Sequence, residues 1–300
     1  MAAIEIVEVS ARDGLQNDSA RLSTEQKVEL IQRCADAGLR RAEVASFVNP
    51  KLVPQMADGE AVVAGVRASV PGPASWIGLV LNTRGFHRAA QAGVDEVNCV
   101  VSVTDEFSRA NQGMSTDEAV AVVAEVVPLA RAAGILPTVT LSVAFGCPFS
   151  GEVSVDQVRR VVEAVADTGV AEVAIADTIG VGVPRDVGER VAAVRQVIGD
   201  LPLRAHFHNT RNTGYANALA AAESGVSVLD ASLGGIGGCP FAPRATGNIA
   251  TEDLVHALHR SGFDTGVDLE AAILASQWLA EQLGRDLPAS LPKAGPFPAS

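Results

Sequence analysis

The stretch His206–Gly214 (HFHNTRNTG) holds residue types that bind metal ions and anions. His206 and His208 are two residues apart, so in a β-strand both imidazoles point to the same face. Neutral imidazole is a common ligand of divalent metals. Arg211 follows three residues after His208, and its guanidinium could hold an anion near the same point. The spacing therefore predicts a metal site, an anion site or both at the end of one strand.

Other strand-like segments carry polar side chains that could complete such a site. Arg12 and Asp13 come directly after the first of these segments, and Glu43 lies in the second. Further polar candidates near strand ends are Asp177, Cys239, Arg244 and Asn248. Two imidazoles and a carboxylate suit Mg²⁺, Mn²⁺, Co²⁺ or Zn²⁺, and an amide oxygen from Asn248 would favour a hard ion. Taken alone, a structural H-x-H pair or a surface Arg12–Asp13 ion pair remains the alternative.

A repeated pattern of amphipathic helix, glycine and hydrophobic strand must position these residues. The glycines that follow the helices are Gly38, Gly93, Gly134, Gly169 and Gly225, where left-handed backbone angles end a helix. Capping boxes predict helix starts at Ser23–Gln26, Ser115–Glu118 and Ser154–Gln157. Both kinds of boundary fall between short segments rich in valine and alanine. This alternation of helices and strands predicts a parallel sheet.

Eight strand candidates follow from this pattern. They lie at about Ile4–Val9, Arg41–Phe47, Trp76–Leu81, Glu96–Val103, Thr138–Val143, Glu172–Asp177, Leu203–His208 and Val226–Ser232. About eight such units favour an α/β fold of the (β/α)8 TIM-barrel type over an open doubly wound sheet. The first strand-to-helix turn also lacks the G-x-G-x-x-G pattern of dinucleotide-binding folds. In such a barrel the carboxyl ends of the strands meet at one mouth, where the polar candidates fall.

The domain organisation predicted from this pattern is a single catalytic barrel over residues 1–285. Thr251–Gly284 adds helices after the last strand, so the barrel carries a C-terminal helical appendage. Residues 286–300 are rich in proline, and we expect them to form a loose tail.

Composition excludes several classes of partner. The 300 residues carry 23 Lys and Arg against 35 Asp and Glu, a net charge of −12, which argues against nucleic acid and anionic membranes. The sequence has no apolar run of the roughly 18–20 residues that a membrane helix needs. The N-terminus has no signal-peptide pattern, and the 4 cysteines have no CxxC spacing. We expect a soluble cytoplasmic protein in a reducing compartment.

Longer motifs connect the candidate residues to a known family. EVSARDGLQND, SFVNPKLVPQMAD, FGCPFSGEV, ADTIGVGVP and GGIGGCPFAPRATGN occur in this order between Glu5 and about Leu258. They resemble the hydroxymethylglutaryl-CoA lyase family, which belongs to the metal-dependent lyase and Claisen-condensing TIM barrels. SFVNPKLVPQMAD and GGCPFA with the following ATEDLV separate these lyases from isopropylmalate and homocitrate synthases.

The resemblance implies a divalent-metal-dependent carbon–carbon lyase. Its substrate would be a 3-hydroxyacyl-CoA like 3-hydroxy-3-methylglutaryl-CoA, cleaved to acetyl-CoA and a 3-oxo or 2-oxo acid. The implied ligands of Mg²⁺ or Mn²⁺ are Asp13, His206, His208 and Asn248. The resemblance also implies a homodimer.

Further roles come from the same resemblance. Arg12 would stabilise the enolate, Glu43 would be important for catalysis, and Asp177 would support the substrate site. Gln16 and Ser46 match positions that line the substrate pocket. Either Asp13 or Glu43 would take the hydroxyl proton, with His206 among the catalytic groups. Cys239, on a glycine-rich loop, would return a proton to the enolate carbon.

The chain departs from the family pattern near the histidines. Typical members read HxHDTYGQALAN where this sequence reads HFHNTRNTGYAN, and the family's AQGASGN is APRATGN here. We infer that the added Arg211 and Arg244 recognise an anion, either the distal carboxylate of the substrate or a phosphate of CoA. Phe149 replaces a usual tyrosine. These departures leave open a related ester, of the citramalyl-CoA type or with a longer branch.

Two rival functions belong to other classes. One is a condensing synthase that joins an acyl-CoA to a 2-oxo acid, although such synthases usually carry a C-terminal regulatory domain. The other is an inactive barrel that serves as a binding scaffold. The complete set of candidate catalytic and metal-binding residues argues against the scaffold.

Overall fold

The computed structural model describes residues 2–238 and 247–297. Within these residues, eight parallel strands close into a barrel in the order β1-β10-β9-β8-β5-β4-β3-β2. The strands are β1 (Glu5–Glu8), β2 (Arg41–Ser46), β3 (Ser75–Val80), β4 (Glu96–Ser102), β5 (Leu136–Ser142), β8 (Glu172–Asp177), β9 (Leu203–Phe207) and β10 (Val228–Ala231). Two short strands, β6 (Gly146–Cys147) and β7 (Gly151–Glu152), form a separate hairpin. The predicted (β/α)8 barrel is confirmed, with each strand within two residues of its expected place.

Helices surround the barrel. They are α1 (Thr24–Asp36), α2 (Gly59–Ser69), α3 (Thr83–Ala92), α4 (Asp105–Gln112), α5 (Thr116–Ala132), α6 (Val155–Ala166), α7 (Pro184–Ile198), α8 (Gly214–Glu223), α9 (Thr251–Arg260), α10 (Leu269–Leu283) and α11 (Leu291–Ala294). All three predicted capping boxes are present, at the starts of α1, α5 and α6. The five glycines predicted to end helices have positive φ, for example 87° at Gly93. Among the described helices, none combines the length and apolar character needed to cross a bilayer.

The C-terminal segment differs from the loose tail predicted for residues 286–300. Leu287 is buried and lies against Gly234, and the backbone N–H of Ala289 donates to the carbonyl of Gly234 over 3.1 Å. The N–H of Leu291 donates to the Asp253 carboxylate over 2.8 Å. The buried Leu287 and these two hydrogen bonds hold the chain against the segment after β10 and against α9, as far as α11. The prolines of this segment do not prevent these contacts.

Charged side chains fill much of the barrel interior. Near its amino-terminal end, Arg41 donates to Glu96 over 2.8 Å and to Glu172 over 2.9 Å. Arg204 lies between Glu172 and Asp230, with its Nε 3.3 Å and 3.6 Å from their oxygens. Buried charges persist only where opposite charges and hydrogen bonds surround them. The interior is therefore a polar column that leads from the barrel floor to its mouth.

Candidate active site

The chain leaves β1 through a π-helical turn, Ser10–Gly14, that carries Arg12 and Asp13 to the barrel mouth. The N–H of Gly14 donates to the carbonyl of Val9 over 3.1 Å, a spacing that widens the turn. A Cβ on Gly14 would lie 2.7 Å from Ile236, so only glycine fits where the turn passes the segment after β10. Turns of this kind often occur at functional sites.

The two histidines and Asp13 converge as the sequence predicted. His206 lies in β9 and His208 directly after it, with ring centroids 5.0 Å apart. One ligand atom from each of Asp13, His206 and His208 lies within 4.8 Å of the others. Asn248 joins them because the chain at this point pairs antiparallel with His208. Its Nδ2 donates to Asp13 Oδ2 over 2.8 Å.

The cluster fits a divalent cation. Among residues 2–238 and 247–297, Asn248 Oδ1 and His208 Nδ1 are buried and have no hydrogen-bond partner. Buried acceptors without a partner are unfavourable unless a ligand satisfies them. Two imidazoles, a carboxylate and an amide oxygen suit Mg²⁺ or Mn²⁺. These four residues, Asp13, His206, His208 and Asn248, are therefore the ones that would hold the ion.

The electrostatics of the cluster favour cation binding. Burial opposes ionisation of Asp13, but Arg12 and the two histidines attract its charge and lower its pKa to about 2. Burial and the neighbouring His206 lower the pKa of His208 to about 4, so its imidazole is neutral at pH 7. Burial would also lower the pKa of His206, but its hydrogen bond to Asp230 and the carboxylate charge raise it. The site thus offers an ionised carboxylate and a neutral imidazole.

Arg12 is held between two carboxylates. Its Nε donates to Glu43 Oε2 over 2.6 Å, its Nη2 also pairs with Glu43, and its Nη1 donates to Asp13 Oδ1 over 2.8 Å. Burial would lower the pKa of Arg12, but the charges of Glu43 and Asp13 raise it. The other Glu43 oxygen accepts a hydrogen bond from Asn98 Nδ2 at 3.1 Å. Glu43 therefore holds the guanidinium with one oxygen, Oε2, while the other accepts from Asn98.

A cavity of about 460 Å³ opens above this cluster. Arg12, Asp13, Glu43, His206 and His208 form its polar end. Gln16, expected to contact the substrate, also lines it. The opposite wall is mostly apolar and amide-rich, with Val48, Asn49, Leu52, Leu79, Leu81, Asn82, Val100, Phe107, Asn111, Gln112 and Met114. The cavity is therefore lined by charged side chains at the end near the histidines and by neutral side chains elsewhere.

Two expected substrate contacts, Ser46 and Asp177, are not among the residues that line this cavity. Ser46 is fully buried and lies outside the residues that line the cavity. Asp177 is also fully buried, and its carboxylate accepts hydrogen bonds from the N–H groups of Val181 and Gly182, both at 2.9 Å. Asp177 thus holds the loop after β8, and its expected support of the substrate site stays a prediction.

Arg211 makes hydrogen bonds within the protein, and its expected recognition of an anion stays a prediction. Its Nη1 donates to the carbonyls of Ile179 and Gly180 over 2.9 Å and 3.0 Å, and the residue does not line the cavity. Phe149 is 51% exposed and likewise lies outside the cavity lining. Cys239 and Arg244 fall outside the described residues, so their expected roles stay predictions.

Four polar residues of the barrel interior were missing from the sequence-based site: Asn98, Thr140, Arg204 and Asp230. Thr140 links two of them, through hydrogen bonds from Asn98 Nδ2 over 3.0 Å and from Arg204 Nη2 over 3.2 Å. Each lies among apolar residues in a strand, in EVNCVVS, PTVTLS, LRAHF and VLDAS. A polar residue inside such a run was the available sign, since barrel strands are usually apolar throughout.

Comparisons with known proteins agree with this site. The HMGL-like family model matches residues 3–278. The chain is 45% identical over 304 residues to the (R)-citramalyl-CoA lyase of Chloroflexus aurantiacus, covering 99% of this chain and 96% of that protein. It is 40% identical to the mitochondrial hydroxymethylglutaryl-CoA lyase of Bos taurus, covering 94% and 86% of the two chains.

A solved structure gives the same result in three dimensions. An HMG-CoA lyase from Acenitobacter baumannii, in complex with coenzyme A and 3-methylmalate, superposes with a TM-score of 0.94 at 39% identity. The match covers 99% of this chain and 96% of that one. The barrel, the convergent cluster and these relatives agree. The chain therefore belongs to the HMGL-like family and is a carbon–carbon lyase.

Proposed function

We propose that the chain is a divalent-metal-dependent lyase that cleaves a 3-hydroxyacyl-CoA bearing a second carboxylate, like 3-hydroxy-3-methylglutaryl-CoA, to acetyl-CoA and an oxo acid. The observation that carries this proposal is the convergence of Asp13, His206 and His208 within 4.8 Å, beside Arg12. When bound there, Mg²⁺ or Mn²⁺ supplies Lewis-acid polarisation of the substrate's hydroxyl oxygen.

The reaction breaks the bond between C2 and C3 of the acyl chain. The hydroxyl on C3 loses its proton, and its oxygen becomes the carbonyl of the oxo acid. The bonding electrons pass to C2 and give the enolate of acetyl-CoA. A proton added to C2 then completes acetyl-CoA, so atoms and charges balance without an oxidant or reductant. The protein must accept the proton of the C3 hydroxyl, donate a proton to C2 and stabilise the enolate oxygen.

Arg12 is suited to stabilise the enolate. Glu43 engages its Nε and Nη2 and Asp13 engages its Nη1, which fixes the plane of the guanidinium at the cavity wall. A guanidinium carries five N–H groups, so others remain for an oxyanion. Donors that are fixed in advance stabilise developing charge because they do not reorganise during the reaction.

The geometry narrows the choice of base for the hydroxyl proton. Glu43 is 2% exposed, and Arg12 and Asn98 engage its two oxygens. Asp13 and His206 both line the cavity, but His206 would direct its remaining ring nitrogen at the cation, which leaves it no lone pair for the hydroxyl proton. We therefore propose Asp13 as the base and Glu43 as the group that positions Arg12. Cys239 remains our prediction for the final proton donor.

Two substrates are consistent with the relatives. A hydroxymethylglutaryl-CoA lyase at 40% identity supports 3-hydroxy-3-methylglutaryl-CoA. The (R)-citramalyl-CoA lyase at 45% identity supports citramalyl-CoA, and the structural relative bound to coenzyme A and 3-methylmalate also holds a shorter diacid than hydroxymethylglutarate. The products differ, since the first ester gives acetoacetate and the second gives pyruvate.

A panel assay tests this function. Purified protein is stripped of metal, supplied with Mg²⁺ or Mn²⁺, and given both esters while acetyl-CoA, acetoacetate and pyruvate are measured. We expect metal-dependent release of acetyl-CoA with one oxo acid. Asp13→Asn is the inactive control, because it removes a charged ligand. No acetyl-CoA from either ester with bound metal would contradict the proposal, and release of free CoA when acetyl-CoA condenses with a 2-oxo acid would favour the condensing rival.

A further inference from the structure

We propose that Asp230, held by Arg204, is a positioning residue that fixes the ring of His206 for cation binding. The inference rests on the proposed function in one respect, that the cluster holds a divalent cation. It goes further by assigning roles to two buried residues that do not belong to the ligand set.

The contact that carries the inference lies between His206 and Asp230. His206 Nδ1 is 3.1 Å from Asp230 Oδ2. The two residues are direct neighbours in the register of β9 and β10, so the strand pairing itself brings them together. An ionised carboxylate only accepts hydrogen bonds, so Nδ1 must carry the hydrogen. The lone pair of the neutral ring is then on Nε2, where it can face a cation.

Arg204 forms an ion pair with this carboxylate. It is 1% exposed, and its Nε is 3.6 Å from the second oxygen of Asp230, Oδ1. Its Nη2 donates to Thr140 Oγ1 over 3.2 Å. Arg204 also lies in β9, two residues before His206, and its side chain therefore shares the same face of the strand. Strand β9 thus supplies both the candidate metal ligand His206 and Arg204, whose guanidinium pairs with Asp230.

The same interior network reaches the second ligand from the other side. Thr140 is hydrogen-bonded to Asn98, Asn98 to Glu43, and Glu43 to Arg12. Arg12 then pairs with the ligand Asp13. The two arms meet at Thr140, so one continuous chain of side chains inside the barrel connects His206 with Asp13. Partners of this kind fix the orientation of metal ligands and raise their basicity.

The test measures metal affinity and the state of the ring. Mn²⁺ binding to the intact metal-free protein is measured by calorimetry for wild type, Asp230→Asn and Asp230→Ala. We expect both variants to weaken Mn²⁺ binding by about 10- to 100-fold, as for other partners of ligating histidines. Glu172→Gln is the matched control, because it also removes a buried negative charge beside Arg204 but makes no contact with His206.

A spectroscopic measurement separates positioning from folding. ¹⁵N-labelled histidine reports which ring nitrogen carries hydrogen, in metal-free protein at alkaline pH where the ring is neutral. We expect hydrogen on Nδ1 of His206 in the wild type and a shift towards Nε2 in Asp230→Ala. Arg204→Lys, which keeps the charge but loses the fork between Asp230 and Thr140, should give a smaller change in the same direction. If Asp230→Ala does not fold, Arg204→Lys is measured in its place.

The outcomes distinguish this inference from the proposed function. Equal weakening in Asp230→Asn and Glu172→Gln would show a general effect of charge and overturn the inference. Unchanged affinity and an unchanged ring state in both Asp230 variants would overturn it as well. If wild type and His208→Ala bind Mn²⁺ equally poorly, the metal site of the proposed function fails, while the ring measurement still decides whether Asp230 sets the state of His206.

Discussion

Asn248 Nδ2 donates a hydrogen bond to Asp13 Oδ2 over 2.8 Å, although the two residues are 235 positions apart in the sequence. The bond joins the turn after β1 to the segment that pairs with the end of β9. It leaves Asn248 Oδ1 buried beside His208 and without a hydrogen-bond partner within the described parts of the chain. The two ends of the barrel sequence therefore complete one binding cluster.

Replacing Asn248 should weaken metal binding. Asn248→Ala removes an amide oxygen available to the cation and the hydrogen bond that orients Asp13. We expect Mn²⁺ affinity to fall by about 10- to 100-fold, measured by calorimetry, with the unfolding midpoint little changed. Asn111→Ala is the control, since Asn111 lines the cavity away from the cluster. Equal effects of the two substitutions would count against Asn248 as a ligand.

Replacing Arg12 by lysine should lower turnover. A lysine has one ammonium group and cannot face both Glu43 and Asp13 while directing a further donor at the substrate. We expect kcat to fall by about 10²- to 10³-fold. Steady-state kinetics at saturating Mg²⁺ measure this, and the Mn²⁺ affinity of the variant serves as the check that the site is intact. Turnover close to wild type would refute the assigned role.

Glu43→Gln distinguishes a positioning role from a base. The change keeps the shape of the side chain but removes the charge that pairs with Arg12. Losing a charged hydrogen bond is worth about 1.5–3 kcal/mol, so we expect kcat to fall by about 10- to 100-fold. The acidic limb of the pH–rate profile should persist, because another group takes the hydroxyl proton. Disappearance of that limb would identify Glu43 as the base.

Charge reversal at Arg211 should affect stability rather than substrate binding. Arg211→Glu removes the donor to the carbonyls of Ile179 and Gly180. We expect KM for the acyl-CoA to stay within about twofold, while the free energy of unfolding falls by about 1 kcal/mol. Arg185→Glu is the control, because Arg185 contacts only an exposed helical neighbour, Glu189, among the bonds described. A large rise in KM would restore Arg211 as an anion contact.

Glu252 should make stability depend on pH. Glu252 is fully buried, and its carboxylate accepts a hydrogen bond from the backbone N–H of Gly234 at 3.1 Å. Burial raises the pKa of Glu252 from 4.5 to about 7. A raised pKa means that the folded state binds the proton more tightly than the unfolded state. The stabilisation is therefore complete below pH about 4.5 and is lost as the pH rises to about 7.

Comparison with Glu252→Gln isolates this contribution. Over that pH range, wild type should lose up to about 3 kcal/mol of unfolding free energy relative to the variant. Urea unfolding of both proteins at pH 5 and pH 8 measures the difference, and groups common to both proteins cancel. A difference between the proteins that is the same at both pH values would contradict the prediction.

Local patterns in the sequence determined the elements and the ligand set. Capping boxes and terminal glycines mark helix ends because they satisfy local backbone groups, and these boundaries recur in the structure. The i, i+2 spacing of His206 and His208 fixed their common direction, since side chains alternate along a strand. Asp13 and Asn248 could be added through their places at strand ends and through the family motifs.

Only the tertiary structure decided what the long and buried side chains do. No pattern in the sequence indicated that Arg211 Nη1 donates to two carbonyls on the loop after β8. Asp230 looked like an ordinary strand residue, but its register with His206 places its carboxylate beside a ligand. These roles depend on partners brought together by strand pairing across the barrel. These partners are far apart in the sequence and share no local sequence pattern, so the sequence alone could not reveal the roles.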